Sequence, residues 1–186
     1  MKKLIFEKYD IEIYGDPIFL QDLSDSLKQY DNFYFDQNEF RPTSIHVIKI
    51  YQNSNLLKSV AIAATGGNTG IHENSALIDI NQLLICCSNS IFCLSIPDLT
   101  LLWCTPTDQA TCFGIYNLQD TYIIHGEFEI SRLDKTGNIL WQQSGADIFI
   151  TPEGKYDFTI TENYILVSDW DHRKYKFDFN GQIIQH

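Results

Sequence analysis

After the glycine-rich break Thr65-Gly66-Gly67-Asn68-Thr69-Gly70, the chain repeats one pattern about every forty residues. Trp103 and Trp141 lie 38 residues apart, and Gln185 stands in the same place 44 residues further on. Between these marks come short apolar runs with a period of two, four to a repeat, separated by turn residues. Ala76–Ile80, Leu83–Cys87, Ile91–Ile96 and Leu99–Cys104 make the first group. Phe113–Asn117, Thr121–His125, Glu127–Leu133 and Ile139–Gln143 make the second. Lys155–Ile160, Tyr164–Ser168, Lys174–Phe179 and Gln182–Gln185 make the third. Pro97-Asp98, Asp134-Lys135-Thr136-Gly137-Asn138 and Asn180-Gly181 punctuate them; Asn-Gly is a strong hairpin signal, because both residues tolerate positive φ. Four strands recurring at this period imply up-and-down sheets stacked against their neighbours, as in propeller blades.

The first 70 residues read differently. Leu4–Tyr14 is a strand, or a hairpin broken near Lys8 to Asp10. Gly15-Asp16-Pro17 is a helix start, with Asp16 as cap and Pro17 where its missing N–H costs nothing. Phe19, Leu20, Leu23, Leu27 and Tyr30 follow at helical spacing, which predicts a helix near 17–30. Asp31–Thr43 reads as a polar and aromatic connection. Ile45–Tyr51 and Leu56–Ala64 are strands joined by the Gln52–Asn55 loop. The expected fold class is therefore mainly β (α+β). A small N-terminal α/β subdomain, 1–70, precedes three propeller-like antiparallel units at about 76–104, 113–143 and 155–185 within 71–186.

The segment Ile130-Ser131-Arg132-Leu133-Asp134-Lys135-Thr136-Gly137-Asn138-Ile139-Leu140-Trp141 resembles the blade repeat of quinoprotein-type (WD40-like) β-propellers. There an apolar strand ends in Asp, a turn with Gly follows, and the next strand closes on Trp. Leu94–Asp98 leading to Trp103 lacks the Gly, and Phe177–Gly181 lacks the Trp. The resemblance covers roughly Ala76 to Gln185 and implies an incomplete propeller, since a ring needs about four blades or more. The end units would each leave an apolar face open. Met1–Ala64 could cover one, a homodimer could share them, or the sheets could curl into an open fan; the first is the expectation. Cys86-Cys87 resembles the adjacent cysteine pair of some quinoprotein dehydrogenases. Neighbouring strand residues point to opposite faces, however, so the expectation is one thiol in each sheet interface and no cofactor.

Composition narrows the function classes. With 44% apolar residues, twelve Phe and ten Tyr, the chain can bury a core. A net charge of -11 repels phosphate backbones and anionic lipid, which argues against nucleic-acid and membrane-surface partners and weakly favours a basic protein partner. The charge-free stretch Ile80–Pro97 is broken by Asn81, Gln82, Ser88, Asn89 and Ser90, which suits buried strands better than a membrane span. Met1–Asp10 is too short in apolar residues for a secretory signal. Five cysteines, none at C-x-x-C spacing, read as reduced core thiols of a cytoplasmic protein. The Gly-rich break lacks the Lys-Ser/Thr of a phosphate loop. No G-x-S-x-G elbow is present, and His46, His72 and His186 show no zinc-ligand spacing.

Two polar clusters remain. His125, Glu127 and Glu129 alternate, so an unbroken strand would set an imidazole beside two carboxylates, a set fit for a divalent metal or for acid–base work. Gly126 between them argues for a turn and a solvated hairpin. Asp169-Trp170-Asp171-His172-Arg173 sits at the matching place in the third unit, so both clusters should lie at one end of neighbouring units. Trp170 among charges is a typical interface anchor. These residues predict a non-catalytic interaction module, of an immunity-type or accessory role in a bacterium, binding through His125, Glu127, Glu129, Asp169, Trp170, Asp171 and His172. The alternative is a small hydrolase or divalent-metal-dependent enzyme using His125, Glu127, Asp169 or His172. No catalytic residue, metal site or cofactor is assigned.

Overall fold

A computed structural model describes residues 1–15, 29–36, 42–153 and 157–184. Within them the chain is nearly all β, arranged as four small sheets in chain order. The helix expected near 17–30 lies outside the described residues over 17–28. The first sheet contains β1 (Lys2–Phe6), β2 (Tyr9–Gly15), β3 (Asn32–Phe35), β4 (Ser44–Gln52) and β5 (Asn55–Ala64), in the order β1-β2-β4-β5-β3. The first strand signal is thus a hairpin, turning at Glu7-Lys8 with φ 51° at Glu7.

Strand β3 corrects the reading of Asp31–Thr43 as a plain connection. It pairs parallel to β5, from Asn32 opposite Val60 to Phe35 opposite Ala63. Four residues are too few to show a period, so the aromatic Phe33-Tyr34-Phe35 carries the strand by its fit to a pleated surface. Carboxylates pin both ends. Asp31 Oδ2 accepts from the Ser59 N–H at 2.8 Å, and Asp36 Oδ2 accepts from the Thr65 N–H at 2.7 Å.

The three repeats are meanders in sequence order. The first is β6 (Ala76–Asp79), β7 (Gln82–Cys87), β8 (Ser90–Ser95) and β9 (Leu101–Pro106). The second is β10 (Cys112–Leu118), β11 (Thr121–Gly126), β12 (Glu129–Asp134) and β13 (Ile139–Ser144). The third has β14 (Phe158–Ile160), β15 (Ile165–Ser168) and β16 (Lys174–Phe177). Its expected fourth strand, Gln182–Gln185, is reduced among the described residues to one bridge between Phe177 and Ile183.

Burial on both faces holds these sheets together. Along β7, Leu83, Ile85 and Cys87 face the first sheet and pack with Ile11, Ile48, Ile50 and Ile62. Leu84 and Cys86 face the other way, onto Ile115, Tyr122, Ile124 and Leu133 of the second repeat. Ile123 and Ile130 then meet Ile165, Val167 and Phe177 of the third. A strand covered on both sides reads as an unbroken apolar run, which accounts for the charge-free stretch around β7 and β8. No helix among the described residues is long and apolar enough to cross a membrane. The first sheet covers the outward face of the first repeat. None of the apolar clusters among the described residues joins the third repeat back to the first sheet. The result is a propeller-like succession of sheets, face to face, without a closed barrel.

Tryptophan and glycine set the spacing between repeats. The Trp103 ring of the first repeat lies on Gly137 of the second, where an added Cβ would come within 2.5 Å of the ring. Trp141 lies likewise on Gly181 of the third, at 2.7 Å from such a Cβ. Both glycines have positive φ, 87° and 81°, so the turn and the close approach each call for glycine. Trp141 Nε1 also donates to the Phe179 carbonyl at 2.9 Å. An aspartate shapes each turn: Asp134 Oδ1 accepts from the N–H groups of Thr136 and Asn138, and Asp178 Oδ1 from those of Asn180 and Gln182. Some desolvation would raise the Asp134 carboxyl, but hydrogen bonds from Asn138 and Thr136 hold it down at about 2.

Candidate functional site

The structure separates His125 from the carboxylates that follow it. Gly126 ends β11, Glu127-Phe128 form the turn, and β12 begins at Glu129, so the three side chains share no continuous strand face. His125 itself is buried between the second and third repeats, 1% exposed. Its ring stacks on Phe158 with centroids 4.6 Å apart and meets Phe113 edge-on at 5.5 Å. Nε2 lies 3.2 Å from the Phe149 carbonyl; a carbonyl only accepts, so Nε2 carries the proton and donates. Burial pushes the imidazole pKa down to about 4, which makes it neutral at pH 7. Glu127 and Glu129 are half-buried, and the Gln109 amide reaches Glu129 Oε1 at 3.4 Å.

Asp169 is fully buried and occupied with its own turn. Oδ1 accepts from the N–H groups of Asp171 at 3.0 Å and Arg173 at 2.9 Å, and Oδ2 accepts from the Tyr175 hydroxyl at 2.8 Å. Arg173 Nη1 stands 3.3 Å from Oδ2. Asp171 is exposed and paired with Arg173. His172 is exposed at φ 60°, with Nε2 3.8 Å from Glu153 Oε1. Trp170 is 43% exposed and donates its backbone N–H to the Ile148 carbonyl at 2.9 Å.

The two hairpins lie at the same end of the stack, tied to one strip. Phe149 N–H donates to the Glu127 carbonyl at 2.6 Å, and the preceding residue, Ile148, receives Trp170. Two backbone hydrogen bonds through adjacent residues put the Glu127 and Trp170 backbones about 10 Å apart. Glu127 N–H in turn donates to Thr111, and Cys112 N–H to Ser88 in the matching turn of the first repeat. A ribbon of backbone hydrogen bonds therefore crosses this end of all three repeats.

Two residues of this end escaped the sequence reading. Phe128, at the tip of the β11–β12 turn, is 38% exposed. Asp108, in the connection leaving the first repeat, is buried. Its Oδ1 accepts from the N–H groups of Ala110 and Thr111, and its Oδ2 from those of Phe128 and Glu129, all at 2.7–3.0 Å. Burial nevertheless pushes this carboxyl above its ordinary range. Gly126 makes room for it, since a Cβ there would sit 2.2 Å from Asp108 Oδ2. The local pair of donors, from Ala110 and Thr111, is that of an ordinary Asp turn; the other two come from a turn twenty residues away, which no sequence signal marks.

Among the described residues, no three His, Cys, Asp or Glu side chains are placed to hold a metal ion. Cys86 and Cys87 are free thiols on opposite faces of β7, one in each sheet interface, and burial raises both. A surface groove of about 430 Å³ lies on a different sheet from either hairpin. It lies on the first sheet and is lined by Lys3, Ile5, Asp10, Glu12 and Tyr51, among others.

No protein-family model matches the chain, and no curated protein matches it. Among solved structures it is similar to β-propeller-like proteins. BamB from Moraxella catarrhalis is 15% identical with a TM-score of 0.49, over 81% of this chain and 47% of that one. The dihydro-heme d1 dehydrogenase NirN in complex with DHE is 18% identical at 0.49, over 76% and 33%. The AfRom2 CNH domain is 12% identical at 0.48, over 76% and 48%. The chain spans less than half the length of each of these three, and at such identities the likeness concerns the fold alone.

Proposed function

We propose that this chain is a non-catalytic interaction module of the quinoprotein-like repeat type that binds a basic segment of a protein partner at the end carrying Phe128 and Trp170. The observation that supports this most is the division of labour within the two polar clusters. His125 and Asp169 are buried and spend their polar atoms on the fold, while Phe128 and Trp170 stand 38% and 43% exposed on neighbouring turns. Glu127, Glu129 and Asp171 flank those aromatics, in a chain of net charge -11. Large aromatics surrounded by complementary charge are the usual anchors of a protein interface. An immunity-type or accessory role in a bacterial cytoplasm suits such a surface. The competing reading, a small hydrolase or metal-dependent enzyme using His125, Glu127, Asp169 or His172, would need His125 and Asp169 released from their buried hydrogen bonds, or would rest on Glu127 and His172.

The test is titration of a Lys/Arg-rich peptide into the purified protein, followed by calorimetry. Trp170→Ala should weaken binding about 30-fold, the loss of a hot-spot aromatic. Phe128→Ala should weaken it too, and Asp171→Lys should slow association and flatten its salt dependence. Equal affinity for the wild type and for the Phe128/Trp170 double variant contradicts the proposal.

A further inference from the structure

The strip that ties the two exposed turns together also forms a seat between them. Phe149 is fully buried, while its neighbour Ile148 is only half-buried. The backbone of this pair is hydrogen-bonded to Glu127, beside Phe128, on one side and to Trp170 on the other. Ile148 is thus flanked by two large aromatic residues, 38% and 43% exposed. Asp147 precedes it and is exposed. Its Oδ1 accepts from the Ile148 N–H at 2.8 Å, and its Oδ2 has no hydrogen-bond partner among the described residues. Charge around the seat is one-sided. Glu127, Glu129, Asp147, Glu153 and Asp171 all reach solvent there. Among the described residues of the strip and the two turns they face only Arg173 and Lys174, and Arg173 is already held by Asp169 and Asp171.

We propose that this seat takes one arginine side chain of the partner, a refinement that rests on the interaction reading above. The arginine methylenes lie along Ile148, as the stems of long charged side chains do on apolar surface. The flat guanidinium stacks on the exposed rings, whose faces attract a cation. It also makes paired hydrogen bonds to the Asp147 carboxylate, where an ammonium offers a point charge and no plane. The Glu127 and Trp170 backbones are about 10 Å apart, which shuts out a helix about 10–12 Å across with its side chains and leaves room for a single extended side chain. Asp147 is then the residue that sets arginine above lysine, and Phe128 and Trp170 are the walls of the seat.

Two short Gly/Ser peptides of equal charge, one bearing arginines and the other lysines at the same places, test this by titration into the isotope-labelled protein. The Ile148 methyl and Trp170 indole N–H resonances should move with the arginine peptide, at an affinity about tenfold above that for the lysine peptide. A citrulline peptide, of the same shape without the charge, should leave them in place. Asp147→Asn keeps the Oδ1 acceptor for the Ile148 N–H, so the strip stays folded, and should erase the preference for arginine. Equal affinity of the wild type for the two charged peptides, or a preference that Asp147→Asn leaves intact, overturns the arginine seat while the wider interaction reading stands. Ile148 and Trp170 resonances that neither charged peptide moves contradict both.

Discussion

Stability is expected to fall steeply as the pH is lowered from about 6.5 to about 4. His46 on β4 and His125 on β11 are 2% and 1% exposed, and burial depresses both from the ordinary 6.5 to about 4. At His46 burial dominates, and backbone groups of Ile45 and Cys86 offset only part of the cost of charging the ring. The unfolded chain takes up these protons near pH 6.5, and the folded chain resists until about 4. The stability held above 6.5 is thus lost on the way down, on the order of 3 kcal/mol for each imidazole. Urea midpoints measured from pH 7.5 to 4 should trace this slope. His125→Phe keeps the ring stack on Phe158 but has nothing to titrate. It should start lower at pH 7, because the Phe149 carbonyl loses its donor, and then lose about half as much with acid. Below that window Asp134, held at about 2, adds a further loss as its turn hydrogen bonds are protonated away. A midpoint that stays level from pH 7 to 4 contradicts this account of both histidines.

Replacing Asp108 by alanine should be the most damaging change at the end that carries Phe128 and Trp170. Four backbone N–H groups, from Ala110, Thr111, Phe128 and Glu129, converge on its carboxylate. Removing it strands donors in the connection between the first two repeats and in the β11–β12 turn at once, an expected loss of about 3–5 kcal/mol. Asparagine keeps one oxygen but turns its NH₂ toward the other two donors, so Asp108→Asn should recover only part. Asp171→Ala, on an exposed turn, should change stability by about 0.5 kcal/mol or less. Chemical denaturation of the three variants provides the comparison; an Asp108→Ala midpoint equal to that of Asp171→Ala would remove Asp108 from its assigned role.

The parts legible in the sequence were those that repeat. The meander spacing, the Asp-x-x-Gly turns and the Trp103/Trp141 marks recur, and the structure places Gly137 and Gly181 under those rings. Cys86 and Cys87 followed from strand alternation alone. What remained hidden depended on remote or non-periodic partners. Strand β3 is four residues long and its partner β5 begins some twenty residues later. Several two-residue turns carry positive φ on residues that rarely show it, such as Ile80 at 53° and Gln119 at 54°, so no Asn-Gly flag marked them. His125 next to Gly126 and Glu127 reads as a solvated turn, because the aromatic wall of Phe113 and Phe158 that buries it comes from elsewhere in the chain. Asp169 looked like a surface acid; the Tyr175 hydroxyl and the turn N–H groups that absorb it are visible only in three dimensions. Of the two clusters, Trp170 kept its exposure, and Phe128 joined it unannounced.

The claim beneath all of this is that successive repeats pack face to face, with each tryptophan of one lying on the turn glycine of the next. Nuclear magnetic resonance measures that contact directly. One Hα of Gly137 and one of Gly181 should be shifted far upfield by the ring currents of Trp103 and Trp141, and Trp141→Leu should abolish the Gly181 shift while leaving Gly137 unchanged. Ordinary glycine shifts at both positions in the wild-type protein would contradict the stacking on which the fold depends.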